Sequence, residues 1–411
     1  MNLVGSRERY DVVVVLPHYY PETTGHCQSF NSLLPGLVQA GYRVAVITSN
    51  RLYANRDRRL PAREMVQGVD LYRIAMSGSR EASLGSQGWS GLRFACKVLA
   101  LGLSLRYRLI LTITSPPFLY AGLGWLARFR KVPLVLWAMD LYPETLVETA
   151  MIRRGGWLHR LGRKLAGLGY ARCAHILTLG PAMRDTLAGY RVPPERITVV
   201  HNWVPDDVVM KPEGGAAFRR ELGLEDRLVV IYTGNMGWIH AFDGLLKAAV
   251  RLKTEIPRIC LLMVGHGVRR RAMERLVMDQ QLDNVRFLDP VPIERYADLL
   301  SMADAGLVCL GRGMGGVAVP GKVYGYLKVG MPVLILEWDP SDLSALIGEG
   351  VAGSAVRPDD VDGMVAFCRN LYGNGTTPSS AGQRNRDWYG QHSGSARGIR
   401  SFTECLGRLL P

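Results

Sequence analysis

A chain of 411 residues, 48% hydrophobic and 21% charged, is long enough for two domains, each with a sizeable core. Seven cysteines stand singly without a Cys-x-x-Cys pair, which argues for a reducing compartment and against a disulfide framework or a zinc site. The net charge of +14 is unevenly spread: residues 1–205 hold 26 Lys and Arg against 12 Asp and Glu, and residues 206–411 hold 24 of each. Basic surfaces meet nucleic acid, anionic lipid or anionic ligands. With no zinc-finger or RNA-binding signature, nucleic acid is not an expected partner. No apolar run of about 18 residues is present, and the opening M-N-L-V-G-S-R-E-R-Y-D lacks the apolar core of a signal peptide.

Residues 11–17 (D-V-V-V-V-L-P) form a continuous apolar run, as expected of a strand buried on both faces of a parallel sheet. Further strands are predicted around 43–48, 109–114, 133–137, 175–179 and 197–200, separated by helical stretches that include the basic segment 156–173. Residues 89–105, with Trp89, Arg93, Phe94 and Lys97, read either as an interfacial helix or as a buried core helix. Short buried strands alternating with helices make a doubly wound α/β domain. After a linker at 201–207 the pattern restarts, with strands at 228–233, 260–264, 285–288 and 306–310 and a helix at 242–254. Residues 372–395, rich in Gly, Ser, Thr and Asn, read as a loop, and 396–410 as a final helix. Ligands of such domains sit at the carboxyl ends of strands, here in an expected inter-domain cleft.

Those strand ends carry the chemistry. Residues 319–335, V-P-G-K-V-Y-G-Y-L-K-V-G-M-P-V-L-I, read as a loop, a short helix capped by Gly330 and a strand. Lys322 falls in the helix's first turn, where a cation is unfavourable by about 0.3–1 kcal/mol unless an anion lies between it and the helix dipole. Backbone N–H groups there, together with Lys322, suit a phosphate; a solvated loop lysine is the alternative. The stretch 228–237, L-V-V-I-Y-T-G-N-M-G, runs a strand into a glycine turn that lets backbone amides approach a pyrophosphate, or simply joins strand to helix. Gly265-His266-Gly267 forms a second such turn before Arg269-Arg270-Arg271, of which at least two read as a solvated helix face. In the first half, His18 and Glu22 lie in P-H-Y-Y-P-E-T-T-G after the first strand, and W-A-M-D-L-Y-P-E puts Asp140 at a strand end. Asp140 is either an N-cap or a group facing a ligand. Asp360 and Asp362 have metal-ligand spacing but head a helix and read as a cap.

The segment P-G-K-V-Y-G-Y-L-K-V-G-M-P-V-L resembles the P-S-K-x-Y-x-Y-L-A-x-G-x-P-V stretch of family 4 glycosyltransferases, most closely the bacterial branch that builds surface polysaccharides. The resemblance implies a GT-B fold: two Rossmann-like domains facing across a cleft, at 1–205 (acceptor) and 206–395 (donor), with a last helix, 396–411, packing back on the first. It implies a retaining, metal-independent transferase that needs no obligatory cofactor. The donor would be a nucleotide diphosphate sugar, with UDP the nucleotide expected from family frequency. The acceptor would be a glycan or a polyprenyl-diphosphate-linked glycan, at the anionic inner face of the cell membrane. A nucleotide-sugar epimerase and a non-catalytic nucleotide-binding partner are the rivals.

Carried over by motif, Gly234, Asn235, Gly237, Gly265, His266, Gly267, Lys322, Tyr324 and Asp342 are donor-side candidates. Glu22, Thr24, Gly25 and Glu144 are acceptor-side candidates, and Asp140 and Lys322 are the catalytic pair. Two departures stand out. Asn235 occupies the place of a family arginine, with His240 or Ala241 near that of a lysine. Val317 and Gly325 occupy the places of two family glutamates, leaving Glu337, Asp339 or Asp342 to substitute.

Overall fold

The computed structural model describes residues 9–22, 25–52, 58–75, 84–237, 242–373 and 380–410. The chain divides into two compact units, Met1–His201 with Ser395–Pro411, and Asn202–Gly394.

The first unit opens with β1 (Arg9–Val15), α1 (Cys27–Gln39) and β2 (Val44–Ser49). Next come the hairpin β3 (Arg63–Val66) and β4 (Val69–Ile74), then α2 (Leu84–Ser104) and β5 (Arg106–Ile113). α3 (Leu119–Arg130), β6 (Leu134–Ala138), α4 (Glu144–Glu148) and α5 (Trp157–Tyr170) follow. β7 (His175–Thr178), α6 (Pro181–Ala188) and β8 (Ile197–Val199) complete the sheet, whose order is β3-β4-β2-β1-β5-β6-β7-β8. β1 pairs in parallel with β2 (Val12 opposite Val44) and with β5 (Val12 opposite Leu109). Its valines, Val12–Val15, are closed off from water, as a β-branched run between two helix layers should be. The β3–β4 hairpin, antiparallel from Arg63 opposite Tyr72 to Val66 opposite Val69, was not expected from the sequence. Gln67 and Gly68, with φ of 50° and 80°, supply the two positive dihedrals of a tight two-residue turn.

The second unit runs α7 (Pro212–Leu222), β9 (Leu228–Thr233), α8 (Asp243–Glu255), β10 (Ile259–Val264), α9 (Arg270–Asp279) and β11 (Val285–Leu288). Then come α10 (Tyr296–Ser301), β12 (Ala305–Leu310), α11 (Lys322–Val329), β13 (Val333–Glu337), α12 (Asp342–Gly348), β14 (Gly353–Val356), α13 (Val361–Gly373) and α14 (Ser380–His392). Its sheet is parallel throughout, in the order β11-β10-β9-β12-β13-β14. Strand order reverses between β9 and β12, as it does between β1 and β5 in the first unit. In doubly wound sheets such switch points open a crevice at the strands' carboxyl ends.

α14 corrects the reading of 372–395 as a loop: α13 reaches Gly373, and residues 380–392 are helical. The helix is polar in sequence but held by tertiary contacts. Asn385, fully buried, accepts from the Ala352 amide at 2.6 Å and donates to the Met331 carbonyl at 2.9 Å. Trp388 and Tyr389 are buried as well. The last helix, α15 (Ser395–Leu409), belongs to the first unit and packs on α1. There Phe402 meets the Trp137 ring edge-on, centroids 4.9 Å apart. Among the described residues, no helix is long and apolar enough to cross a membrane.

Candidate functional site

In the second unit the site is built where β9, β10 and β12 end. β9 is closed from solvent along its length and terminates at Gly234, φ +116°. β10 terminates at Gly265 (φ +141°) and Gly267 (φ +150°). The two turns lie backbone on backbone. The Gly234 amide donates to the Val264 carbonyl (2.8 Å), and the Met236 amide to the His266 carbonyl (2.8 Å). A Cβ on Gly265 would stand 1.9 Å from the Gly234 carbonyl oxygen, and one on Gly267 2.5 Å from that of Met236. Any side chain at either place would drive the turns apart, so these glycines are needed for close approach as well as for dihedral freedom. Asn235 and His266 are exposed at the rim, and Gly237 is half-buried. His240 and Ala241 lie outside the described residues.

Of the three arginines after this turn, Arg270 is structural. It donates to the Gly265 carbonyl at 2.6 Å and is paired with Glu274 (2.7 Å) and Asp289 (2.5 Å). It thereby straps the second turn to its own helix.

Lys322 opens α11, which begins beside the switch point and ends at Gly330 in the left-handed conformation. The Val323 and Tyr324 amides turn back to the Pro320 and Gly321 carbonyls, so they are not directed at a ligand as the helix-terminus reading expected. The lysine reaches back across the sheet end instead. A Cβ on Gly234 would be 3.6 Å from its Nζ. Nζ stands 3.4 Å from the centroid of the Tyr232 ring, buried and, among the described residues, without a hydrogen-bond partner. Burial pushes the ammonium down from its usual 10.5 to about 7. A cation–π contact of about 0.5–2 kcal/mol offsets only part of the cost of an unpaired buried charge. Tyr232 was not singled out from the sequence, although it is the one aromatic in an otherwise aliphatic strand end.

The carboxylate candidates are engaged. Glu337, at the end of β13, accepts from the Ser341 hydroxyl at 2.5 Å, and Ser341 caps α12. Asp339 accepts from the Gly313 amide at 3.1 Å. Asp342 is buried in the first turn of α12, and Tyr324, 1% exposed, is a core ring. At the two positions where the family carries glutamates, Val317 is buried and a Gly325 Cβ would meet the Tyr296 hydroxyl at 3.3 Å. Asp360 accepts from the Gly363 amide at 2.9 Å, as a cap does, and Asp362 pairs with Arg251.

In the first unit, two loops carry the candidates. After β1, His18 meets the Arg51 carbonyl (3.2 Å) and His26 meets that of His18 (3.1 Å). Burial lowers His26 to about 4, so it is neutral at physiological pH. Glu22 is 5% exposed, and its carbonyl accepts from Asn31; Gly25 takes φ +56° at the entry to α1. Thr24 lies outside the described residues.

After β6, the Met139 and Asp140 amides both donate to Thr114 Oγ1, at 3.2 and 3.1 Å, which ties this loop to the end of β5. Thr114 was missed in the sequence, where a lone strand-end threonine gives no signal. The N-cap of α4 is Pro143, so the capping reading of Asp140 does not hold. Burial raises the Asp140 carboxyl from 3.8 to about 6. Glu144, four residues on, accepts from Arg163 at 2.7 Å and from the Tyr190 hydroxyl, with the Arg163 guanidinium stacked 4.3 Å over the Tyr190 ring. It pins α4 to α5. Among the described residues, no cluster of three or more His, Cys, Asp or Glu could hold a metal.

Comparison with known proteins agrees with this layout. Residues 24–203 match the family described as glycosyl transferase 4-like domain, and residues 227–374 match glycosyl transferases group 1. WbjE of Pseudomonas aeruginosa, named a probable glycosyltransferase, is 24% identical over 73% of this chain and 72% of its own. WcaI of Escherichia coli K12, named a putative colanic acid biosynthesis glycosyl transferase, is 24% identical over 86% and 89%. Among solved structures, Anabaena HepE in complex with UDP superposes with a TM-score of 0.72 at 13% identity, covering 97% of this chain and 100% of its own. The sucrose-phosphate synthase of Thermosynechococcus elongatus reaches 0.77 at 16% identity, covering 98% and 99%. The chain belongs to the family 4 glycosyltransferases and has their GT-B fold.

Proposed function

We propose that the protein moves a sugar, with retention, from a nucleotide diphosphate sugar, with UDP as the nucleotide, to a glycan or polyprenyl-diphosphate-linked acceptor in surface-polysaccharide or glycolipid assembly. The observation that carries the donor reading is the Lys322 ammonium, buried, unpartnered and set against the Gly234 turn. A diphosphate placed there gives Nζ the anion it lacks and lets the turn's backbone approach without a side chain in the way. Support for UDP comes from the HepE structure, whose ligand it is, and support for a role in polysaccharide assembly from the name that WcaI carries.

In the step itself the bond between the anomeric carbon and the diphosphate oxygen breaks, and the acceptor oxygen bonds to the same face. The acceptor's proton passes to the leaving phosphate. Charge grows on the diphosphate as the transition state becomes oxocarbenium-like, and Lys322 meets that charge without a metal or other cofactor. Asp140 supplies a hydrogen bond to a hydroxyl of the sugar or of the acceptor.

The test is UDP affinity in Lys322→Ala, by calorimetry at pH 7. A lost charged hydrogen bond of about 1.5–3 kcal/mol weakens binding roughly tenfold or more. Unchanged affinity in a folded variant would remove Lys322 from the site.

A further inference from the structure

α5 is built inside out. Its buried face is Gly162, Ala166, Gly169 and Tyr170, while Trp157, Leu158, Leu161, Leu165 and Leu168 are exposed. The leucines recur at spacings of three and four, the pattern of a buried helix stripe, yet they face water. The small residues explain the inward side. A Cβ on Gly169 would stand 2.5 Å from the Tyr120 ring of α3, and one on Gly162 2.9 Å from Pro143. α5 therefore lies close on its neighbours with its bulky residues turned out. α3, packed beside it, leaves Trp125 (60%) and Phe129 (76%) exposed, and Trp157 at the start of α5 is 73% exposed.

The charge around this apolar surface has one sign. α2, α3 and α5 contain no Asp or Glu at all. Arg160, Arg163 and Lys164 are exposed along α5, and Arg128 on α3. On α4, Glu144 and Glu148 are 14% and 13% exposed at their side chains and are paired to Arg163 and Arg154. The whole first unit carries 29 Lys and Arg against 13 Asp and Glu, and the second 21 against 23.

We infer that the α3–α5 face docks on an anionic lipid bilayer, with the leucine stripe and the aromatic rings at the boundary of head groups and acyl chains and the arginines and lysine among the head groups. A second copy of this chain is the other natural partner for a leucine stripe. Two such faces would, however, bring cations against cations with no acidic residue to pair them. An anionic lipid surface complements both features. Each basic residue near it contributes about a fivefold factor in partitioning, and the apolar stripe adds burial. The inference is independent of the donor site, and it moves the interfacial reading from residues 89–105 to α3 and α5: in α2, Phe94 and Val98 are buried.

The test is sedimentation of the full chain with vesicles of phosphatidylcholine alone or with about one-third phosphatidylglycerol, at low and high salt. Binding should require phosphatidylglycerol and fall as salt rises. It should weaken roughly tenfold or more in Leu161→Gln/Leu165→Gln, whose sites are exposed enough to keep the fold, as circular dichroism and thermal unfolding would verify. Arg160→Glu/Lys164→Glu should weaken binding to the anionic vesicles as well. Equal binding to both vesicles, binding to neither, or a folded leucine variant that binds like the wild type would each overturn the inference. So would a dimer in sedimentation velocity that the leucine variant abolishes.

Discussion

Glu144 in the first unit and Lys322 in the second are both ionisable groups largely drawn out of water beyond the carboxyl ends of parallel strands, yet they are treated in opposite ways. Glu144 is held by an arginine and a tyrosine. Lys322 has an aromatic face beneath it and, among the described residues, no hydrogen bond. Asp140, in the loop that leads into α4, resembles the lysine: its carboxyl is pushed up to about 6 by burial. A paired charge fixes the fold, and its loss is a stability effect. A charge buried alone costs stability in the empty protein, which is the mark of a group waiting for a ligand.

Substitution can break that contrast, and the largest effect is expected at Asp140. Asp140→Asn should lower turnover roughly 100-fold or more with little change in UDP affinity, because only the transition state loses the interaction. Its stability should move the other way. A carboxyl with a raised folded-state pKa gives stability that is full below about 4 and lost as pH rises through about 6. Asparagine escapes this loss, so the variant should melt above the wild type at pH 7 and not at pH 4. Turnover near wild type would remove Asp140 from the chemistry.

Lys322→Met sharpens the contrast from the other side, by stability instead of binding. The folded-state pKa lies at about 7 against 10.5 unfolded, so the unfolded chain binds more protons between those values. The penalty is therefore full below pH 7 and gone above 10.5. Methionine should stabilise the ligand-free protein by about 1–3 kcal/mol at pH 7, less as pH rises, read from thermal melts. A melt unchanged or lowered would mean that the ammonium is not an unpaired buried charge.

The smallest effect on chemistry should come from Glu144→Gln. It loses the ion pair to Arg163 and should cost about 1 kcal/mol of stability while turnover stays within severalfold of wild type. A large turnover loss at unchanged stability would make Glu144 a reacting group and erase the distinction.

The strands around these groups were legible because each is an apolar run ended by a glycine or polar residue; β9 and β11 fall where the sequence put them. Lys322 and Asp140 were legible as polar groups in the right place relative to those ends. What separates Asp140 from Glu144 was not, because it depends on Arg163 and Tyr190, which are remote in sequence and arrive with α5 and the end of α6. α14 was illegible for a similar reason: its stability lies in Asn385 meeting Met331 and Ala352, not in its own composition. The exposed leucines of α5 were hidden too, since spacing identifies a stripe but not which stripe faces the core.

Whether Lys322 is a buried base awaiting a diphosphate can be read by counting protons. Titrating UDP into the wild type at pH 8 in buffers of different ionisation enthalpy measures the protons taken up on binding. With the free lysine at about 7, the site is mostly neutral at pH 8 and must charge to hold the diphosphate. Uptake should approach one proton per UDP in the wild type and disappear in Lys322→Gln. Tight UDP binding with no proton uptake, or the same uptake in the variant, would contradict it.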